Sequence, residues 1–274
     1  MTTTPSTSII FAKELPAGRA GLRHAIPAEW TKFWSVRSTP WSLFALVVAT
    51  LGLGALSTNA LHGQQFATLD PTRRVLVGFN LGQFAIGVLG VLFISAEYGT
   101  GQIRSTLAAL PRRPVVLGAK AIVMGGVALV VGEILSFVTF YMGHAILAGT
   151  ASHVSLSDPG VMRVLIESGI YMSLMGLIGL GIASIIRNSA GSIATFAGLI
   201  LILTLILGAM PQAIQNAVSR YLPANIGATV FSVITPGRLQ GTPVFSSQAG
   251  LVILAVYALL LLSAGCFFMI RRDS

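Results

Sequence analysis

Residues 76–95 carry no charged side chain, and the runs 41–57, 190–210 and 250–270 carry none either. An apolar run of ~20 residues is long enough to cross the hydrocarbon core of a bilayer as a helix. Two further runs, 115–148 and 161–186, hold only two Asp, Glu, Lys or Arg residues each. Such spans are helical, because every backbone polar group must be satisfied within its own segment. The chain is 9% charged, against about a quarter in a soluble domain. The expected fold class is therefore an all-α membrane protein with six transmembrane helices, at about 41–57, 76–95, 118–148, 161–186, 190–210 and 250–270.

The polar stretches between these runs organise the chain. Residues 97–114, Glu97-Tyr-Gly-Thr-Gly-Gln-Ile-Arg-Ser-Thr-Leu-Ala-Ala-Leu-Pro-Arg-Arg-Pro114, form a basic island between the second and third runs. Gly99 and Gly101 loosen the backbone, and Thr100 is a good N-cap. Residues 102–109 then fit a short helix with Ile103, Leu107 and Leu110 on one face and Arg104 and Ser105 off it. Pro111 and Pro114 stop it, with Arg112 and Arg113 between them. This shape suits a handle gripped by another protein.

Residues 1–26 are polar and read as a disordered tail, with 27–274 as the six-helix membrane domain. No apolar core of signal-peptide length follows the first charges. In 27–37, Trp30, Phe33, Trp34 and Val36 gather on one helical side, and Glu29, Lys32 and Arg37 lie elsewhere. That pattern suits an interfacial helix along the headgroups. The third run is too long for one perpendicular span. Its first turns are expected to leave the membrane at Lys120, and Gly125-Gly126 offers a bend. Gly78 and Gly82 are spaced for close helix approach, or reflect the frequency of glycine in membrane helices. In 211–248, Ile214, Val218, Tyr221 and Leu222 mark an amphipathic helix, Pro223 breaks it, and 227–234 suits a re-entrant or surface-lying piece.

The net charge of +9 does not indicate nucleic acid, since the basic residues are spread among membrane-flanking loops. With the N-terminus inside, 12 Lys and Arg fall on the cytoplasmic side and 5 outside. The positive-inside rule puts both termini and the 97–114 island in the cytoplasm. The single cysteine, Cys266, excludes an intramolecular disulfide. Arginine outnumbers lysine, and with the abundant Gly and Ala this hints at a GC-rich bacterial genome.

Glu133 lies at membrane depth, where an ionisable group is costly. It is either a polar contact in a translocation path or between helices, or a protonated or snorkelling group in a packed bundle. Glu167, near the outer end of the fourth run, is expected to be solvated or to pair with Arg163 at i−4. His144 and His153 lack companions at metal spacing. No phosphate-binding loop, H-E-x-x-H or G-x-S-x-G occurs, so no enzyme is expected, and any ATP must be bound by another chain.

Several stretches resemble the membrane subunit of type-2 ATP-binding-cassette (ABC) exporters, especially actinobacterial permeases. They are Glu29-Trp-Thr-Lys-Phe-Trp-Ser-Val-Arg-Ser-Thr, Glu97-Tyr-Gly-Thr with Leu110-Pro-Arg-Arg, Gly176-Leu-Ile-Gly-Leu-Gly-Ile-Ala-Ser with Arg187-Asn-Ser-Ala-Gly, and Tyr221-Leu-Pro-Ala-Asn-Ile-Gly. The order of elements agrees from about residue 27 onward. The resemblance implies a multi-pass permease of the plasma membrane moving a hydrophobic or amphipathic substrate outward. Its partners would be an ABC ATPase holding ATP and Mg and a second permease chain, with membrane lipid around them and no nucleic acid. Glu97, Gly99, Thr100, Ile103, Arg104, Leu107, Pro111, Arg112 and Arg113 would form the coupling helix and its ATPase contact. Glu29, Trp30, Lys32, Phe33, Trp34 and Arg37 would belong to the interfacial helix. Segment 211–248 would be an extracellular re-entrant region. Asn80, Gln83 and Glu133 are the candidates for a substrate path. The proline pair around Arg112-Arg113 departs from the family pattern and would shift the start of the third helix.

Two other classes compete. One is an ion-coupled secondary transporter using Glu133, although no internal repeat is evident. The other is an intramembrane enzyme. Glu133 and His144 are 11 residues apart, about 16 Å along one helix, too far to act together unaided.

Overall fold

The computed structural model describes residues 21–60, 70–110, 112–148, 155–233, 238–239 and 242–271. The expected tail over residues 1–20, Pro111 and His153 lie outside the described residues. The fold is all-helical apart from a two-residue antiparallel pair, Arg238–Leu239 with Thr242–Pro243. Among the described residues, six helices are long and apolar enough to cross a membrane.

The chain opens with α1 (Leu22–Ser35) and α2 (Ser38–Asn59). A short α3 (Pro71–Val75) leads through one tight turn, Leu76–Gly78, into α4 (Phe79–Gly99). Then come α5 (Gln102–Ala109), α6 (Arg113–Ile146) and α7 (Val161–Ile186). Next, α8 (Ser189–Ala197) continues through a widened turn, Gly198–Ile202, into α9 (Leu203–Gly208). Two short helices, α10 (Gln212–Val218) and α11 (Pro223–Val230), precede α12 (Ser247–Arg271).

The central element is α7, against which α4, α6 and α12 all pack. Without a hydrophobic driving force in lipid, helices gain from close van der Waals approach. Glycines provide it. A Cβ at Gly90 would overlap Gly176 O, and one at Gly179 would overlap Gly87 O. The α4–α7 crossing is thus backbone on backbone. Against α2, a Cβ at Gly78 would overlap Thr50 O, and one at Gly82 would meet Thr50 Oγ1 at 2.5 Å. Gly78 and Gly82 are therefore contact glycines.

Several expectations need correction. Helix α1 starts at Leu22, inside the expected tail, and carries Pro27 within it. Its buried stripe is Ala25, Glu29 and Phe33, while Trp30 and Trp34 are half exposed. A carboxylate occupies the buried face because a cation meets it there. Val36 and Arg37 lie beyond the helix, and Arg37 is the residue before α2. The second span starts at Asp70, whose carboxylate accepts from Thr72 N at 3.0 Å and Arg73 N at 3.4 Å to cap α3. Helix α6 is one unbroken element of 34 residues, ~51 Å at the usual rise. It outreaches the bilayer core, and Lys120 near its start is fully buried against neighbouring helices. Helix α11 packs inside the bundle, with Ile226, Gly227 and Val230 buried, whereas Ile214, Val218 and Tyr221 are exposed.

Candidate functional site

The site is at the end of the bundle where α1, the end of α4, α5 and the start of α6 meet. Four ionisable side chains from three helices close on one another. Lys120 Nζ of α6 donates to Glu29 Oε2 of α1 at 2.6 Å and to Glu97 Oε1 of α4 at 2.8 Å. Lys32 Nζ reaches Glu29 Oε1 at 2.9 Å and Glu97 Oε1 at 3.2 Å. Two cations and two carboxylates leave the cluster neutral, the condition under which buried charge is tolerated. Glu29, Glu97 and Lys120 are buried. The Lys120 ammonium also lies 4.4 Å from the centroid of the Phe93 ring, a cation–π contact that solvates it further. Phe93 stacks edge-on against Phe33 of α1 at 5.1 Å.

Helix α5 joins through Thr106. Lys32 Nζ donates to Thr106 Oγ1 at 2.9 Å, and that hydroxyl lies 3.5 Å from Glu97 Oε2. The one polar residue on the buried face of α5 is thus hydrogen-bonded into the cluster, beside buried Ile103. The opposite face, with Gln102, Arg104, Ser105 and Ala108, is exposed, as are Gly99, Thr100 and Gly101. Leu107 and Leu110 are half-buried. The cap differs from expectation. Gly101, at φ 71°, is the residue before α5, and the Thr100 hydroxyl donates back to Ala96 O at 2.8 Å. Only a residue tolerant of positive φ turns the chain here, so the glycine, not the threonine, starts the helix.

Burial pulls the Lys32 ammonium toward neutrality, but its bonds to Glu29 and its pull toward Glu97 outweigh this, and its pKa stands above the ordinary lysine value.

Arg113 does not join the exposed handle. Its guanidinium donates to Met269 O and Ile270 O at the end of α12. Arg187, itself at φ 60°, donates to Phe268 O at 2.9 Å. Two arginines thus cap the carbonyls that the α12 terminus leaves open. Arg112 is exposed.

The path candidates make separate contacts. Gln83 is buried and spends its carbonyl on the Tyr171 hydroxyl at 2.5 Å. Asn80 is half-buried and donates to Val77 O in the turn that precedes α4. The Glu133 carboxyl lies over Gly169 of α7, where a Cβ would meet its Cδ at 2.5 Å. Among the described residues no cation pairs with it. Glu167 is buried and bonded to Arg163 at 3.3 Å rather than solvated. Among the described residues no group of three metal-ligating side chains occurs.

At the opposite end, Asp70 also accepts from Ser232 Oγ at 2.6 Å and Val233 N at 2.7 Å. Tyr171 OH lies 3.1 Å from Pro223 O. Helix α11 is therefore tied to the bundle at both of its ends. Sequence reasoning missed these ties; the Asp70-Pro71 pair is a helix-start signal, but nothing local points to residue 232.

The sequence matches no protein-family model and no curated protein. Fold and site together define a multi-pass helical membrane protein with a buried ionic joint at one end of its bundle.

Proposed function

We propose that the chain is the membrane-spanning permease subunit of an ATP-driven ABC exporter, working with a separate ATPase and a second permease chain. The observation that carries this reading is the neutral cluster of Glu29, Lys32, Glu97 and Lys120, which Thr106 extends into α5. A short helix with one face exposed is thereby fastened to the ends of two long spans and to an amphipathic helix. A push on the exposed face of α5 moves α1, α4 and α6 together. Packed elements with discrete arrangements transmit such displacements as rigid bodies. In this reading α5 is the coupling helix, α1 the interfacial helix, and 211–248 the outer region closing the path. The positive-inside rule sets α5 and both termini in the cytoplasm. The sequence carries no G-x-x-x-x-G-K-[ST] phosphate loop, and in this reading ATP and Mg belong to the ATPase. The apolar surfaces of the spans favour a hydrophobic or amphipathic substrate.

Gentle purification from the native membrane, followed by mass spectrometry, tests the class. A stoichiometric partner carrying a phosphate-binding loop is expected. Arg104→Glu and Leu107→Asp should insert normally yet abolish vanadate-sensitive transport; unchanged transport in both sinks the coupling role.

A second reading rests on Glu133, a membrane-depth carboxyl unpaired among the described residues. As an ion-coupled transporter the protein would lose activity directly on addition of protonophore and be indifferent to vanadate.

A further inference from the structure

Glu133 belongs neither to the ionic joint nor to the ties that hold α11. It stands 20 residues into α6, which runs from Arg113 to Ile146, and 13 residues from its end. At the usual rise that is ~30 Å from one terminus and ~20 Å from the other, so its carboxyl is at membrane depth. Glycines set its position. Where α6 crosses α7, a Cβ on Gly132 would meet Gly169 Cα at 3.1 Å, and one on Gly169 would meet Glu133 Cδ and Oε1, both at 2.5 Å. The carboxyl therefore occupies the place of the side chain that Gly169 lacks, in the groove between the two helices. The groove's rim is apolar. Val130 and Ile134 of α6 and Ile166 and Ile170 of α7 are exposed, a surface that meets acyl chains in a bilayer.

Among the described residues nothing answers this carboxyl. The lysine and arginines of the two helices are engaged elsewhere. Arg113 is bonded to the α12 carbonyls, Lys120 is held in the ionic joint, and Arg163 is bonded to Glu167 and Ser247. Nearby hydroxyls are also spent. Ser136 donates to the backbone carbonyl of Glu133 at 2.9 Å, and Ser173 donates to Gly125 O at 2.9 Å. An ionised group at this depth without a partner is costly, and its attraction to a cation is strong because the dielectric is low.

We propose that the α6–α7 groove is a binding site for a lipophilic cation. The cation enters from the bilayer, sets its charge against Glu133 and lays its apolar body over Val130, Ile134, Ile166 and Ile170. A bare divalent metal ion needs several oxygen ligands, and the groove offers one carboxyl. A neutral amphiphile would leave the carboxylate unanswered, and an anion would be repelled. Binding here needs no ATPase, so the site goes beyond the exporter reading and stands or falls apart from it.

The full chain in lipid nanodiscs is titrated with tetraphenylphosphonium, and uptake by empty nanodiscs is subtracted. Tetraphenylborate, of the same shape and opposite charge, is the comparison. Saturable binding of one tetraphenylphosphonium per chain is expected, and none of tetraphenylborate. Glu133→Gln removes the charge but keeps the shape, and should raise Kd by about tenfold or more. Gly169→Ala fills the place of the carboxyl and pushes it out of the groove; Kd should rise severalfold although net charge is unchanged. Asp158→Asn, at an exposed carboxylate outside the groove, should bind as the wild type does. Should Glu133→Gln fail to fold, Gly169→Ala decides alone. Wild-type affinity in both groove variants overturns the proposal. So does saturable binding of tetraphenylborate with a similar Kd, which would mark an apolar groove without charge selection. Absence of saturable tetraphenylphosphonium binding by the wild type overturns it too, and would leave Glu133 to hold a proton alone.

Discussion

Lys120 shows how one residue changes the meaning of its neighbours. It is fully buried, and its ammonium holds two carboxylates from helices far apart in sequence. Replacing it by methionine keeps the stem but leaves Glu29 and Glu97 buried with Lys32 alone between them. Breaking a buried pair from one side costs ~3–5 kcal/mol, so Lys120→Met should lower the thermal unfolding midpoint sharply. Adding Glu29→Gln should restore part of the loss, because the removed carboxylate no longer needs a partner; additive losses would mean that the pair is not coupled. Lys32 offers a pH test. Its pKa is raised in the fold, so its stabilising contribution is complete below the unfolded lysine value and fades as pH rises through the folded one. The stability gap between wild type and Lys32→Met should hold constant from pH 6 to 9 and close only above about 10.4; a gap that closes near neutrality would contradict this. The charges themselves were visible in the sequence. Their pairing was not, since Glu29 and Lys120 are 91 residues apart and a lysine in an apolar run reads locally as a residue leaving the membrane. For the same reason the aromatic spacing of α1 does not reveal that Glu29 faces inward.

Among elements, the α4–α7 crossing is held by backbone meeting backbone. Gly87 and Gly90 meet Gly176 and Gly179 with backbone atoms where side chains would otherwise stand. Gly90→Val should destabilise by ~1–3 kcal/mol, the usual cost of overpacking, because the clash is with backbone and cannot be relieved by a rotamer. Gly126→Val is the control, since a Cβ there meets nothing within 4 Å and its face is exposed. Thermal unfolding of both in the same detergent checks this, and equal stability would remove the crossing's special status. The six apolar runs and the helix at 102–109 were legible because length and periodicity are local properties. The role of the glycines was only half legible. Spacing marked Gly78 and Gly82 as contact candidates, but spacing cannot name the facing helix. Helix α11 was seen as a short apolar piece; its burial depends on Asp70 and Tyr171, which the sequence keeps far away.

For the whole molecule, the two ends of the bundle differ in charge. Among residues with described side chains, the α5 end carries the cations Arg23, Lys32, Arg37, Arg104, Arg112, Arg113, Lys120, Arg187 and Arg271 against the carboxylates Glu29 and Glu97. The α10–α11 end carries Arg73, Arg74, Arg163 and Arg220 against Asp70, Asp158 and Glu167. The excess is thus several charges at one end and about one at the other. Because Lys and Arg near span ends resist translocation, the α5 end should face the cytoplasm. With six crossings, both termini should lie there too. Side-specific labelling reads this directly. In a Cys266→Ser background, Ala213→Cys on the exposed surface of α10 should react with a membrane-impermeant maleimide in intact cells. Ala108→Cys on the exposed face of α5 should react only after permeabilisation. The reverse pattern would invert the topology and, with it, place α5 beyond the reach of any cytoplasmic ATPase. An exporter subunit whose coupling helix faces outward is not possible, so this one measurement bears on the functional reading as directly as on the fold.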